Sequence, residues 1–235
     1  MSAPLFYTTL LGQSGSFLEL DSDNSRHAIQ VLRLVQGSAL SITDGKGNWA
    51  DATVSIADRK KCQVQLQAVQ IVPPPKRSIT LAISLLKNRN RFEWLLEKVT
   101  ELGVSSIIPL RCERTEKETI RMDRLESILI SAVLQSRQAW LPALLPPQSY
   151  TELQQWKLKQ GVNLIAHCEN STRRPLSLLS SSLADDVLIA IGPEGDFTPD
   201  EIEQAVAADF IPVQLGNTRL RTETAGIVAV SLLAC

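Results

Sequence analysis

The 235 residues predict a two-part α/β chain: a small antiparallel β-domain followed by an α/β domain built on a parallel sheet. Three observations carry this reading. Apolar and polar residues alternate through the first seventy positions, as in half-buried strands. A triple proline, Pro73-Pro74-Pro75, then interrupts the pattern. Beyond it, continuous apolar runs exchange with stretches of helical spacing, the signature of strands buried on both faces under helices.

The elements follow in order. Leu40 and Ile42 precede Asp44-Gly45-Lys46-Gly47-Asn48, and Ala52, Val54 and Ile56 follow it, which predicts a hairpin closed by a glycine-rich turn. A second alternating run, Cys62, Val64, Leu66 and Ala68, comes after the basic turn Asp58-Arg59-Lys60-Lys61. Strands this short suit an antiparallel barrel or sandwich. Proline fixes φ and offers no N–H, so 73–77 reads as a linker between domains 1–72 and 78–235. Ile79 to Leu86 is then a buried strand, and Phe92, Leu95, Leu96, Val99 and Leu102 form one helix face that Gly103 ends. Val104 to Leu110 is a second buried strand, and Leu125, Ile128, Leu129, Ala132 and Val133 mark a helix that stops before Pro142. Strand-like runs recur at Val162–His167, Val187–Ile191 and Ile211–Leu215, and a last helix carries Ala225, Val228, Ala229 and Leu232. Strands alternating with helices imply parallel pairing with right-handed crossovers. Ser177 to Ser182 reads as a surface loop.

Composition narrows the function classes. Hydrophobic residues make up 44%, enough for a core. No apolar run reaches the roughly 18 residues that span a bilayer. The N-terminus lacks a basic stretch ahead of its short apolar segment, so no secretory signal is expected. Four cysteines, Cys62, Cys112, Cys168 and Cys235, lie far apart without a CxxC pair, which argues against a zinc ribbon or a disulfide framework and for a reducing cytoplasm. Net charge is only −1, yet residues 1–124 carry +4 and residues 125–235 carry −5, an asymmetry that permits a polyanion on the first half.

Ligands of open α/β sheets bind at the carboxyl ends of strands, which directs attention to two loops. In the first, Gly192-Pro193-Glu194-Gly195-Asp196-Phe197 leads into Thr198-Pro199-Asp200-Glu201, where Thr198 is an expected N-cap, Pro199 the first helical residue and Glu201 the partner of a capping box. The two glycines either serve a tight turn or let backbone approach a ligand; Glu194 either binds a ligand hydroxyl or amine or caps the turn. In the second, Gly216 to Ala225 contains Arg219 and Arg221, either solvated or facing an anionic partner, while Thr222 and Glu223 could simply begin a helix as N-cap and first-turn acid. His167, at a strand end, is either a ligand contact or a core histidine. A P-loop, a GxGxxG fingerprint and a GxSxG elbow are all missing, and one His beside one Cys does not make a metal site.

Taken together, Arg26-His27-Ala28-Ile29-Gln30-Val31-Leu32-Arg33, Phe92 to Gly103, Ile191-Gly192-Pro193-Glu194-Gly195 and Leu215-Gly216 with Leu220-Arg221-Thr222-Glu223-Thr224-Ala225 resemble the RsmE family. These are SPOUT-superfamily methyltransferases that methylate N3 of a uridine in small-subunit (16S) ribosomal RNA. The resemblance implies an N-terminal PUA-like β-barrel, a C-terminal α/β domain with a deep trefoil knot, and a homodimer with the active site near the interface. It implies S-adenosylmethionine as cofactor, cradled by His167, Ile191, Gly192, Glu194, Gly195, Leu215, Gly216, Leu220, Thr222 and Ala225. Three positions depart from the family pattern. Asp196 stands where a second glycine is usual, Asn217 where a proline is common after Leu-Gly, and Leu134 where an acid precedes Gln135-Ser136.

Methylating uridine N3 requires removing its proton or stabilising the anion spread over O2 and O4. Arg221 suits the second task, with Arg137 contributing across the dimer and Glu194 orienting cofactor or base. RNA contacts are expected from Arg26, His27 and Arg33 in the first domain and from Arg111, Arg114 and Lys117 after the second α/β strand. Two other readings stay open at this point: a SPOUT methyltransferase acting on another RNA, for instance at a ribose hydroxyl, and a catalytically silent RNA-binding protein.

Overall fold

The computed structural model describes residues 3–116, 119–169, 172–180 and 183–234. It divides into two compact units, Met1–Pro74 with Val133–Leu141 and Pro75–Ala132 with Pro142–Cys235.

The first unit contains β1 (Leu5–Tyr7), β2 (Phe17–Glu19), α1 (Ser22–Arg26), a π-helical turn His27–Val31, β3 (Ala39–Thr43), β4 (Asn48–Ile56) and β5 (Gln63–Ile71). They form one sheet in the order β1-β3-β4-β5-β2. The expectation of a purely antiparallel domain needs correcting, because β1 pairs with β3 in parallel. The chain reaches β3 from β1 through β2 and α1, so the two strands run the same way, as only a long connection permits. Phe6, Leu40, Ile42, Val54, Val64 and Leu66 fill the core beneath. Ala68, expected inward, is exposed. Ala52 faces Leu66 but Ala50 faces Val69, so β5 carries an extra residue there. Each such bulge reverses the alternation, and Val69 takes the inward place.

The predicted glycine-rich turn joins β3 to β4. Asp44 accepts the backbone N–H groups of Lys46 at 2.8 Å and Asn48 at 3.2 Å, while Gly45 and Gly47 sit at φ +69° and +89°. Residues 139–141 return onto this turn, with the Gly47 N–H donating to Ala139 O and the Leu141 N–H to Gly45 O, both at 2.9 Å. A Cβ on Gly47 would collide with the Trp140 ring, whose indole N–H donates to the carbonyls of Val72 and Pro73 at 3.1 Å.

The second unit comprises β6 (Ser78–Ser84), α2 (Arg89–Glu101), β7 (Ser106–Arg111), α3 (Met122–Ser136), β8 (Ala143–Leu144), β9 (Gln148–Ser149), α4 (Tyr150–Leu153), β10 (Val162–Ala166), β11 (Arg174–Pro175), α5 (Leu176–Leu179), β12 (Asp186–Ile191), α6 (Pro199–Ala207), β13 (Ile211–Gln214) and α7 (Thr222–Ala234); the last turn of α3, from Val133, belongs to the first unit. Its sheet runs β11-β13-β10-β12-β6-β7-β8, with β9 also on β7, and every ladder is parallel. Ser177 lies in α5 rather than in a loop, and Ser181 and Ser182 fall outside the described residues. Asn88 caps α2 by accepting from the N–H groups of Asn90 and Arg91, and Gly103 at φ +83° ends it.

The buried face of α7 is Thr222, Glu223, Gly226, Ala229, Val230 and Leu233, so the helix is rotated from the expected face of Ala225, Val228, Ala229 and Leu232. Gly226 explains the rotation. A Cβ there would lie 2.7 Å from Ile83 Cδ1 and 2.9 Å from Leu95 Cδ1, so glycine lets α7 close on β6 and α2. Among the described residues no helix is long and apolar enough to cross a membrane.

Candidate active site

Three neighbouring parallel strands, β12, β10 and β13, release their chains at the same end of the sheet. β10 ends at Ala166 and passes directly to His167 and Cys168. β12 ends at Ile191 and turns through Gly192–Phe197, closed by a bond from the Asp196 N–H to Pro193 O at 2.9 Å. A Cβ on Gly192 would sit 3.0 Å from Phe197 N, so the turn folds back more tightly than most side chains meet. The predicted capping box follows: Thr198 accepts from the Glu201 N–H at 3.2 Å, and Glu201 accepts from the Thr198 N–H at 2.8 Å. β13 exits through Leu215 to Arg221, and α7 begins at Thr222, so Arg221 rather than Thr222 takes the cap position, its carbonyl accepting from the Ala225 N–H at 2.8 Å.

These exits enclose a cavity of about 320 Å³, within the range of small-molecule sites. The β10 exit contributes His167, Cys168 and the nearby Arg173; the β12 exit contributes Ile191 to Glu194 and Asp196; the β13 exit contributes Leu215, Gly216, Thr218 to Thr222, and Ala225. Its walls are therefore mixed, with aliphatic faces from Ile191, Leu215 and Leu220 beside three guanidinium groups and two carboxylates. Open space lies beyond Gly216 on its Cβ side.

His167 is the residue most in need of a ligand. It is 4% exposed, yet neither Nδ1 nor Nε2 has a hydrogen-bond partner among the described residues. Burial lowers its pKa, opposed by the charge of Asp196, so at neutral pH it presents a neutral ring with one donor and one acceptor. An unpaired buried imidazole costs free energy, and a bound polar molecule removes that cost.

Of the sequence-predicted cofactor residues, His167, Ile191, Gly192, Glu194, Leu215, Gly216, Leu220, Thr222 and Ala225 line this cavity together with Arg221. Gly195 lies outside the lining; its carbonyl accepts the Arg114 guanidinium at 2.8 Å. Arg114, expected at RNA, thus braces this loop, reaching Phe197 O as well at 3.5 Å. Arg111 is exposed at the end of β7. In the first unit, exposed Arg26 pairs with Asp23 at 3.0 Å, exposed His27 sits edge-on to Phe6, and exposed Arg33 adopts φ +55°. Arg137 also belongs to that unit, at φ +57°, donating to Ala3 O at 2.7 Å and lying 5.6 Å above the Trp49 ring. Lys117 lies outside the described residues.

Sequence reasoning missed Arg173, whose Nη1 donates to His167 O at 2.6 Å, and it missed the role of the Asp196 carboxylate. Asp196 adopts φ +67°, and the usual glycine at this place would have been the available signal of a left-handed turn. Glu223 lies in the first turn of α7, as expected of an acid complementing the helix dipole, and it is also buried, 3.6 Å from Arg91.

Comparison with known proteins agrees across the chain. A family model described as RNA methyltransferase domain matches residues 73–234, and one described as RNA methyltransferase PUA domain matches residues 20–67. The chain is 30% identical to the ribosomal RNA small subunit methyltransferase E of Mycobacterium bovis, an alignment covering 98% of this chain and 90% of that protein. The crystal structure of a ribosomal RNA small subunit methyltransferase E from Neisseria gonorrhoeae bound to S-adenosyl methionine is similar at a TM-score of 0.88, with 28% identity over 98% of this chain and 96% of that one. A Legionella pneumophila protein in complex with the bound cofactor SAM is similar at a TM-score of 0.87, with 30% identity over 99% of this chain and 97% of that one.

Proposed function

The chain belongs to the RsmE family of ribosomal RNA small subunit methyltransferases, and from that premise we propose that it methylates N3 of a uridine in 16S rRNA using S-adenosylmethionine. The observation that carries the reading is the 320 Å³ cavity at three adjacent strand exits, with the unpaired His167 ring inside it.

The residues fit this cofactor. A bound adenosyl group needs apolar faces and polar edge contacts, and Ile191, Leu215 and Leu220 offer the first while His167 and the backbone around Gly192 and Gly216 offer the second. Thr222, Ala225 and Glu194 complete the proposed lining set, while Gly195 contributes as part of the turn outside it. When bound, S-adenosylmethionine supplies a methyl group on an electrophilic sulfonium.

The protein supplies orientation and charge. Arg221, which is exposed and lines the cavity, is assigned the task of donating paired hydrogen bonds to the uracil, stabilising the anion left when N3 loses its proton. Glu194, an exposed lining residue, is assigned to orient base or cofactor. Arg137 is proposed to act across a dimer, where its guanidinium would have to leave Ala3 and Trp49. Because the target atom lies on the pairing edge of the base, the uridine must be unstacked to reach it. Arg26, His27, Arg33, Arg111 and Lys117 are the proposed RNA contacts; Arg114 adds its charge from the loop it braces.

A homodimer, a trefoil knot and a cytoplasmic location belong to the same proposal. Beyond its polar first turn helix α7 is largely apolar, and Ile227, Val228 and Leu232 are only half-buried within one chain, which suits a helix that packs on a second copy. The return of α7 onto β6 and α2, with β12 inserted between β6 and β10, supports the knot. A catalytically silent protein loses its rationale at Asp196, since the turn accommodates this residue at φ +67° without distortion of its closing bond.

The test is a calorimetric titration of the purified protein with S-adenosylmethionine, followed by tritium transfer to small ribosomal subunits lacking the modification. Cofactor binding and label recovered as 3-methyluridine are expected. Label in a different nucleoside overturns the N3 assignment, and no binding overturns the cofactor site.

A further inference from the structure

Resting on that reading of the cavity, we propose that Asp196 is a positioning residue that clamps the β10 exit to the β12 turn and thereby sets the His167 ring for the cofactor. The peptide unit between His167 and Cys168 is gripped at both ends. Its carbonyl accepts the Arg173 guanidinium at 2.6 Å, and its N–H donates to Asp196 Oδ2 at 2.6 Å. The other carboxylate oxygen, Oδ1, accepts the Phe197 N–H at 2.9 Å, so one side chain spans two strand exits. Both bonds are charge-assisted, the stronger class of hydrogen bond.

This clamp decides what the β10 exit can offer a ligand. With the backbone N–H and C=O of that peptide both engaged, the His167 imidazole, buried and unpaired at both ring nitrogens, is left to face the cavity beside the unpaired Nε of Arg173. The cost of the arrangement is visible in the backbone, because Asp196 holds φ +67°, where glycine is the residue without penalty. A plain turn would be served better by glycine. Asp196 is explained by what its carboxylate does.

Conformation and clamp predict opposite orders among variants. Asp196→Gly relieves the backbone and loses both bonds. Asp196→Asn tolerates the left-handed conformation and keeps one acceptor oxygen, so it retains one bond. S-adenosylmethionine Kd, measured by calorimetry, is expected to rise about tenfold in D196G and about threefold in D196N, as follows from losing two bonds or one. Thermal unfolding of cofactor-free protein should not follow that order, since glycine recovers the conformational penalty. In the same cofactor-free samples, hydrogen exchange at the Cys168 amide should quicken about tenfold in D196G, reflecting the lost acceptor.

Unchanged Kd and unchanged Cys168 exchange in D196G would overturn the clamp, as would a D196N no better than D196G in both readouts. Should the wild-type protein fail to bind S-adenosylmethionine, the cofactor reading falls by itself, and the exchange comparison still decides whether Asp196 fixes the peptide.

Discussion

Replacing Glu93 with glutamine removes one charge from α2 and preserves the side chain's shape. Glu93 is 11% exposed in its side chain, and Arg124 grips it with two bonds, Nε to Oε1 at 2.6 Å and Nη2 to Oε2 at 2.7 Å. Arg89 adds a third, to Oε1 at 2.7 Å. Arg124 first, and Arg89 after burial's opposing effect, hold the carboxyl at about 2 against its ordinary 4.5. At about 1.4 kcal/mol for each pH unit, that separation corresponds to about 3 kcal/mol in favour of the charged form in the folded chain. The two guanidinium groups are 51% and 45% exposed, so water screens them and the working figure falls to about 1–2 kcal/mol.

The direction with pH follows from the lowered value. A carboxyl depressed by folding stabilises the protein above the ordinary 4.5, and its contribution fades as pH drops from there towards about 2. Urea unfolding at pH 7 should therefore place E93Q about 1–2 kcal/mol below wild type, equivalent to about 2–8 °C in Tm for a chain of this size. The deficit should hold down to about pH 5 and narrow steadily below it. A deficit that is as large at pH 3.5 as at pH 7 refutes the argument, since it would mean that glutamine disturbs packing and not charge.

Three further outcomes are expected. Arg221→Ala should cut methyl transfer at least about 100-fold while leaving cofactor Kd within a few fold, as befits a group stabilising developing charge; calorimetry showing lost binding rejects that role. Gly47→Ala places a Cβ against the Trp140 ring at φ +89° and should cost about 2–4 kcal/mol in urea unfolding, conformational penalty and overpacking together; a wild-type midpoint would show that Trp140 does not hold its place. His167 is held neutral chiefly by burial, so the unfolded chain takes up a proton first as pH falls below 6.5 and wild-type stability declines there. His167→Gln should flatten that decline between pH 7 and 5.5, and an identical slope in both proteins counts against it.

What could be read from sequence follows from the range over which each signal acts. The β3–β4 turn, the capping box at Thr198 and the Gly103 stop are governed by residues within a few positions of one another, so composition and spacing announce them. A strand buried on both faces, such as β12 from Val187 to Ile191, leaves an unbroken apolar run. The parallel pairing of β1 with β3, the return of residues 139–141 and the bulge that turns Ala68 outward depend on partners tens of residues away. No local pattern encodes them. The site divides in the same manner: its loops could be located from the strand ends, but the clamp on the His167–Cys168 peptide joins residues 28 positions apart and had no local mark beyond an aspartate at a turn.

Two of the quoted motifs contain acids that look chemical and turn out to be structural. Glu93 is consumed by Arg124 and Arg89, and Glu223 faces Arg91, so each buried carboxylate is neutralised by an arginine of its own unit. Leaving such a charge buried without its partner would be costly, which ties these pairs to the fold and removes them from the reaction. Arg173 and Asp196 both hold the His167–Cys168 peptide, Asp196 also accepts the Phe197 N–H, and Arg114 is committed to loop carbonyls. At the cavity this leaves His167, Glu194, Arg219 and Arg221 as charged or titratable side chains whose polar ends take no hydrogen-bond or ion-pair partner among the described residues. Chemistry needs groups that are not already spent, and of these four only an arginine offers a permanent positive charge with paired donors. Arg219 and Arg221 differ in how they are held: Arg221 occupies the cap of α7, anchored by the Ala225 N–H on its carbonyl, whereas Arg219 sits in the loop before it. A group that must meet a developing anion is better carried by the residue whose backbone is anchored, which supports Arg221 over Arg219 for the proposed role.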